Sequence, residues 1–375
     1  MPGGSFRIAL VVERFEPRGG GVEGVAWNVA HGLAAAGDEV WVLARRAEGP
    51  GAASLRVRRV SAGIPWKPIR TLLFSSRSAR AARDAGCDLV HSFSRTRHQD
   101  VYRAGGGSHA AYMERAYGAA GARLRRLSPR HAVLLGIESR VFADPRQTIQ
   151  CNSLMVREEI RARYGVPDAR LRLVWNGVDL ERFRPERRAA ERERVRAELG
   201  APEGALAWLI VGAELHRKGL DTALRALAGG GPGDAELWVC GGEGDRPWRV
   251  LAERLGVLPR VRFLGARGDM ERLYAAADAL ILPTRYDAFA NVCLEAAASG
   301  LPVLTSGANG AAAFLGSAGL VVEEPEDAAG FAKGLDALAD PALRARLGAA
   351  GRARAEERSW ERHVAELRAL YAQLR

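Results

Sequence analysis

The sequence predicts an α/β chain with two parallel, doubly wound sheets. Three observations carry this: short apolar runs alternate with helical stretches, the runs fall into two series, and 375 residues suffice for two ordinary domains. Strands alternating with helices give parallel sheets covered on both faces. Two such series predict two Rossmann-like domains facing each other across a cleft.

The first series opens with Ile8–Val12, followed by a helix near Glu23–Ala36 and a strand at Glu39–Leu43. Further strands are expected at Leu55–Val60, Leu89–Phe93 and Gln147–Cys151, with a short strand and loop at Asp100–Ala104. The second series is expected to begin at Leu171–Val174. It continues near Ala207–Val211, Glu236–Val239, Val261–Phe263, Ala279–Leu282 and Val303–Thr305. Gly165 and Pro167 place the linker around Tyr164–Arg170. The expected domains are therefore 1–167 and 168–354. A terminal helix at 355–375 has Trp360, Val364, Leu367, Leu370 and Tyr371 at helical spacing.

A hydrophobic content of 47% and a charged content of 26% are those of a soluble globular protein. No apolar run reaches the roughly 18 residues of a membrane-spanning helix. The start, Met1-Pro2-Gly3-Gly4-Ser5-Phe6-Arg7, lacks the pattern of a signal peptide, so a cytoplasmic protein is expected. Cys87, Cys151, Cys240 and Cys293 are scattered without metal-ligand spacing and read as reduced thiols.

The net charge of +11 has two readings. Arg and Ala dominate, as in a GC-rich coding sequence. Alternatively, the charge draws the chain to anionic surfaces. Arg56, Arg58, Arg59, Lys67, Arg70, Arg77, Arg80 and Arg83 cluster around Ile69, Leu72, Leu73 and Phe74. Such a segment suits the inner face of the plasma membrane and equally an ordinary surface helix. No zinc-finger spacing or RNP-like run accompanies the charge, so nucleic acid is not an expected partner.

The most informative pair is Asp287 and Glu295, which bracket a predicted helix start after the buried run Ala279–Leu282. Helix starts carry free N–H groups and favour phosphate. Asp287 is expected before that end and Glu295 about two turns inside the helix. Each would then reach a different part of one ligand, as a nucleotide-sugar requires. Acidic residues also favour helix starts for the dipole alone. The pair gains weight from Leu209-Ile210-Val211-Gly212, a strand entering a glycine turn, followed by Arg217-Lys218-Gly219. Two adjacent cations there suit a departing diphosphate without a metal.

Gly19-Gly20-Gly21-Val22-Glu23-Gly24 formally fits a dinucleotide fingerprint. The loop from Val12 is too long for its tight turn, and Ala44-Arg45-Arg46 stands where an acidic residue is required. A nicotinamide enzyme is therefore not expected. Glycines at this place let a backbone approach a ligand closely.

These blocks are joined by Leu173-Val174-Trp175-Asn176-Gly177-Val178-Asp179, Arg182-Phe183-Arg184-Pro185, Val261–Gly265 and Gly300-Leu301-Pro302-Val303. Together they resemble glycosyltransferase family 4 over essentially the whole chain, most densely from Leu173 to Thr305. Within that family the chain is similar to the lipopolysaccharide core glucosyltransferase I type, through Arg217–Asp221 and Asp100–Ala104. The resemblance implies the GT-B fold and retaining transfer from a nucleotide-sugar to a glycan or glycolipid. One departure is Asp287, where the family usually has Glu; the shorter arm puts the donor sugar in question.

The resemblance also implies roles. Arg217 and Lys218 would help the leaving diphosphate, along with the helix start at Phe289, Ala290 and Asn291. Asp287 would hold the donor sugar and Glu295 the ribose, an ionised carboxylate being a good double acceptor. Gly212 shapes the cation loop, and Gly20 and Gly21 would approach the donor phosphates. The base would lie against Arg262–Arg267, and His109 would contact the donor sugar or its phosphate. His91, at the end of Asp88-Leu89-Val90, is a second histidine candidate. No Asp-x-Asp pair occurs, so neither metal nor cofactor is expected. UDP-glucose is the donor the family favours, with GDP-mannose and ADP-heptose open, and the expected acceptor is a lipopolysaccharide core or other envelope glycan. Two rivals remain: an epimerase or phosphorylase of the same fold, and a basic nucleic-acid-binding protein.

Overall fold

The computed structural model describes residues 5–17, 21–48, 55–61, 63–242 and 244–375. They form two compact units: residues 1–177 with 360–375, and residues 178–359.

The first unit is built from β1 (Arg7–Phe15), α1 (Val22–Ala35), β2 (Glu39–Ala47), β3 (Leu55–Arg59), α2 (Lys67–Asp84), β4 (Leu89–Ser92) and β5 (Val101–Arg103). It continues with α3 (His109–Arg125), α4 (Pro129–Ala143), β6 (Thr148–Cys151), α5 (Leu154–Tyr164) and β7 (Leu171–Leu173). The sheet is parallel, in the order β3-β2-β1-β4-β5-β6-β7. The centre of β1 is buried on both faces, as a covered parallel strand must be. The apolar stripe of α1 (Val25, Ala26, Val29, Ala30 and Leu33) packs onto one of them.

The second unit comprises α6 (Arg187–Leu199), β8 (Ala207–Val211), α7 (Leu220–Gly229), β9 (Glu236–Cys240), α8 (Arg246–Arg254), β10 (Val261–Gly265) and α9 (Met270–Ala276). Then follow β11 (Ala279–Leu282), α10 (Asn291–Ala298), β12 (Val303–Ser306), α11 (Ala311–Leu315), β13 (Leu320–Val322), α12 (Ala328–Ala337) and α13 (Pro341–Glu356). Its parallel sheet has the order β10-β9-β8-β11-β12-β13. The chain steps outward from β8 to β10, then returns to the other flank of β8 as β11. Ligands of open α/β sheets bind at such a reversal, beyond the carboxyl ends of the strands.

Three expectations are corrected. Leu171–Leu173 does not open the second series; as β7 it pairs with β6 and closes the first sheet. The stretch Tyr164–Arg170 is not a linker. Gly165 ends α5 in the left-handed conformation, and a 3-10 turn at Asp168–Arg170 feeds β7. The division therefore falls after Gly177 instead of after residue 167. The terminal segment is likewise not one element: α13 runs to Glu356 in the second unit, and only α14 (Trp360–Ala372) belongs to the first. There Val364, Leu367, Leu370 and Tyr371 complete the core beneath α1. The approach is close, since a Cβ on Gly32 would fall 2.5 Å from Val364 Cγ2. Arg368 fixes the helix through Asp38 at 3.0 Å. Strand β13 was not foreseen, being short and half-exposed.

Candidate functional site

The reversal between β8 and β11 brings two loops together. After β8, Gly212 begins the turn, and Lys218 lies across its Cα; a Cβ there would fall 2.5 Å from Lys218 Cγ. Gly219 follows at φ +77°, where a Cβ would fall 2.0 Å from the Pro283 carbonyl oxygen. Only glycine admits both that dihedral and that approach. The loop after β11 is stitched to the first by Arg285 N–H and Thr284 Oγ1, which donate to the Arg217 carbonyl at 2.9 and 3.0 Å. Arg285 also forks onto Asp221 at the start of α7, at 2.9 and 2.8 Å.

In this frame Arg217, Lys218 and Asp287 converge. Lys218 Nζ donates to Asp287 Oδ2 at 2.7 Å and Arg217 Nη1 to the same oxygen at 3.0 Å. The Lys218 side chain is 8% exposed. Burial raises the Asp287 pKa, but Lys218 and Arg217 outweigh it and hold the carboxyl below its ordinary range. Burial likewise opposes the charge on Arg217, and Asp287 and Glu214 reverse that, so its pKa is raised.

Glu295 is the fifth residue of α10, so it lies little more than one turn inside the helix, not two. Its Oε2 accepts from the Tyr274 hydroxyl at 2.8 Å. Burial pushes its pKa up, against the pull of Tyr274, Arg182 and Lys218. The charge of Lys218 thus bears on both carboxylates. At the start of α10, Ala290 is buried and its N–H donates to Asn309 Oδ1 at 3.2 Å. Phe289 is buried edge-on against Phe314, and Asn291 is the first helical residue.

Other predicted site residues are placed differently. Arg267 follows β10 and forks onto Asp269 at 2.8 and 2.6 Å, so its guanidinium is already engaged. His109 and Gly21 belong to the first unit. Gly21 precedes α1 at φ +62°, while Gly20 lies outside the described residues. His109 is the first residue of α3, with its Nε2 3.0 Å from His131 Nδ1. Burial, then Arg95, pushes its pKa down to about 3, so the imidazole is neutral near pH 7. His91 is not at a surface: it is fully buried, with Nδ1 2.7 Å from the Tyr371 hydroxyl.

Sequence reasoning missed Tyr274, which orients Glu295, and Asn309. The latter accepts from Ala290 and Ala311 and donates to Thr305 Oγ1, tying the two loops around α10. The turn text Gly307-Ala308-Asn309-Gly310 after an apolar run was the available signal. Among the described residues, no group of three or more His, Cys, Asp or Glu is placed to hold a metal ion.

Comparison with known proteins matches residues 19–182 to the model of Glycosyltransferase Family 4 and residues 191–354 to that of Glycosyl transferases group 1. A probable transglycosylase of Burkholderia thailandensis is 32% identical over 362 residues, covering 95% of this chain and 94% of that protein. The lipopolysaccharide glucosyltransferase WaaG of Escherichia coli is 28% identical over 327 residues, 85% of each chain. The crystal structure of WaaG, a glycosyltransferase involved in lipopolysaccharide biosynthesis, superimposes with a TM-score of 0.84 at 26% identity, covering 97% of this chain and 99% of that one. The two-domain fold is thus the GT-B fold.

Proposed function

Because the chain belongs to the family 4, group 1 glycosyltransferases, we propose that it moves a hexose or heptose from a nucleotide-sugar to a lipopolysaccharide core or other cell-envelope glycan, with retention and without a metal. The observation that carries this is the convergence of Arg217, Lys218 and Asp287 at the strand reversal, with Glu295 on the adjoining helix.

The chemistry follows from the groups. Breaking the sugar–phosphate bond leaves a diphosphate whose charge grows as the bond breaks. A planar fork and a mobile ammonium, both partly desolvated, stabilise that charge most in the transition state. These cations supply the countercharge that a divalent ion supplies elsewhere. Asp287 aims them and uses one oxygen to do so; its Oδ1 is left to accept a donor-sugar hydroxyl. Glu295, steadied by Tyr274, accepts the two ribose hydroxyls. No protein nucleophile is required when the leaving phosphate itself takes the acceptor proton on the same face.

The likeness to a lipopolysaccharide glucosyltransferase supports glucose as the transferred sugar and an envelope glycan as the acceptor. Such acceptors are membrane-bound, and the first unit exposes Ile64, Trp66 and Ile69 beside Lys67 and Arg70 at the start of α2. That patch suits peripheral docking at the cytoplasmic leaflet. No described helix is long and apolar enough to cross a membrane.

The test is a thermal-shift panel of UDP-, GDP-, ADP- and dTDP-sugars in chelator. UDP-glucose is expected to raise the melting point most. Product analysis with and without a glycan acceptor then separates transfer from epimerisation or phosphorolysis. No shift with any donor, or shifts only when metal is added, overturns the proposal.

A further inference from the structure

At the carboxyl edge of the first sheet, two guanidinium groups have no carboxylate partner among the described residues. Arg103 ends β5 and is 3% exposed. Its Nη2 donates to Asn176 Oδ1 at 2.8 Å, while its Nε and Nη1 have no partner. Burial lowers its pKa only to about 10, so it stays a cation at neutral pH. Arg95, in the loop after β4, also has a buried Nε without a partner.

Both arginines lie against Gly105-Gly106-Gly107. A Cβ on Gly105 would fall 1.7 Å from Arg103 Nη1, and one on Gly106 would fall 4.0 Å from Arg95 Nη2. Gly107 turns the chain at φ +68°. Two further buried groups stand on the same face. Arg103 is in register with Gln150, and His91 with Val101, two residues before Arg103. Gln150 is fully buried, and its amide lies against the His91 ring. The carboxylate of α4 that faces the start of α3 does not serve these groups. Glu138 accepts from Ser108, the backbone of His109 and Ala110, and Tyr164.

Buried polar groups in folded proteins are almost always hydrogen-bonded, and buried charges are paired. Water would satisfy the hydrogen bonds here but not the charge. An oxyanion satisfies both, since it accepts hydrogen bonds from guanidinium groups and balances their charge. We propose that the Gly105–Gly107 loop, with Arg103 and Arg95, forms a subsite for a phosphate group, apart from the cation pair of the second unit. The group belongs either to a phosphomonoester on the acceptor, which rests on the transferase reading, or to inorganic phosphate held by the protein.

The test is titration calorimetry of the full chain with inorganic phosphate and with glucose 6-phosphate at fixed ionic strength. Arg95→Gln is expected to weaken binding about tenfold, as loss of one charged hydrogen bond does. Arg103→Lys keeps the charge but loses the fork and is expected to weaken it similarly; Lys218→Ala retains binding. If Arg103→Lys fails to fold, Arg95→Gln, at the loop edge, still reads the site. An ester that binds more tightly than inorganic phosphate assigns the group to the acceptor, and equal affinities assign it to a held ion; both support the subsite. No binding of either probe overturns it. So does binding that survives Arg95→Gln and Arg103→Lys but is lost in Lys218→Ala. A nucleotide-sugar thermal shift retained by Arg95→Gln separates failure here from failure of the transferase proposal.

Discussion

Lys218 Nζ and Asp287 Oδ2 meet at 2.7 Å, and Arg217 reaches the same oxygen at 3.0 Å. One carboxylate oxygen therefore gathers both cations of the β8 loop. The pair joins residues far apart in sequence and, in the proposed transfer, would set where positive charge faces the departing diphosphate.

Removing the mobile cation should affect turnover before binding. Lys218→Ala is expected to lower kcat by about 10²–10³-fold, with a smaller change in KM, because the lost interaction is strongest in the transition state. Steady-state kinetics decide it, and an unchanged kcat removes Lys218 from the chemistry.

The two carboxylates are expected to respond to acid at different pH values. The Glu295 pKa is raised, so nucleotide affinity falls as pH drops through that raised value. Tyr274→Phe removes a group that lowers it, so the fall should begin at higher pH. Glu295→Ala should weaken UDP binding about tenfold at neutral pH. The Asp287 pKa is depressed below 3.8, so its contribution to folding is complete above that value. That contribution is lost only as pH falls through the lower folded value. Calorimetry should therefore show UDP affinity failing at a pH where circular dichroism still reports a folded chain. Coincident loss of both would contradict the assignment.

Two glycines should separate fold from chemistry. Gly219→Ala meets a positive φ and a backbone oxygen, and is expected to cost at least about 2 kcal/mol. Gly212→Ala meets the Lys218 side chain, with no backbone atom among its nearest contacts, so Lys218 must shift from its place. It should lower turnover about tenfold while stability stays within about 1 kcal/mol of the parent. Urea denaturation alongside kinetics tests the contrast, which fails if both variants lose stability equally.

Asp278 supports the second unit. It is buried and takes Arg188 and Arg192 at 2.9 Å and Arg196 at 2.6 Å. Asp278→Ala strands the buried Arg196 and is expected to cost about 3–5 kcal/mol. A loss below about 1 kcal/mol in urea would show that the carbonyls capping α9 suffice for these arginines.

Much of the chain was legible locally. Apolar runs such as Leu209–Val211 and Leu280–Leu282 mark covered parallel strands, because a strand buried on both faces cannot alternate. Gly212, Arg217, Lys218 and Asp287 were found because each stands just beyond such a run, where a βα turn must lie. The helix start at Ala290-Asn291 was legible, but Glu295 was set too deep: Asp287 spends its backbone on Ala308 and Gly310, so α10 begins only at Asn291 and Glu295 is its fifth residue.

The amino-acid order alone determined the fold class, the two βα series and the cation and carboxylate motifs, since each depends on the period and punctuation of a few neighbouring residues. Only the tertiary structure decided that Leu171–Leu173 closes the first sheet, that α14 completes the first core, and that His91 is bound to Tyr371. It alone also showed that Arg267 is engaged by Asp269 and that one oxygen of Asp287 holds both cations. Strand neighbours, core partners and ion pairs are chosen by burial and distance among segments remote in the chain, and no local pattern encodes that choice.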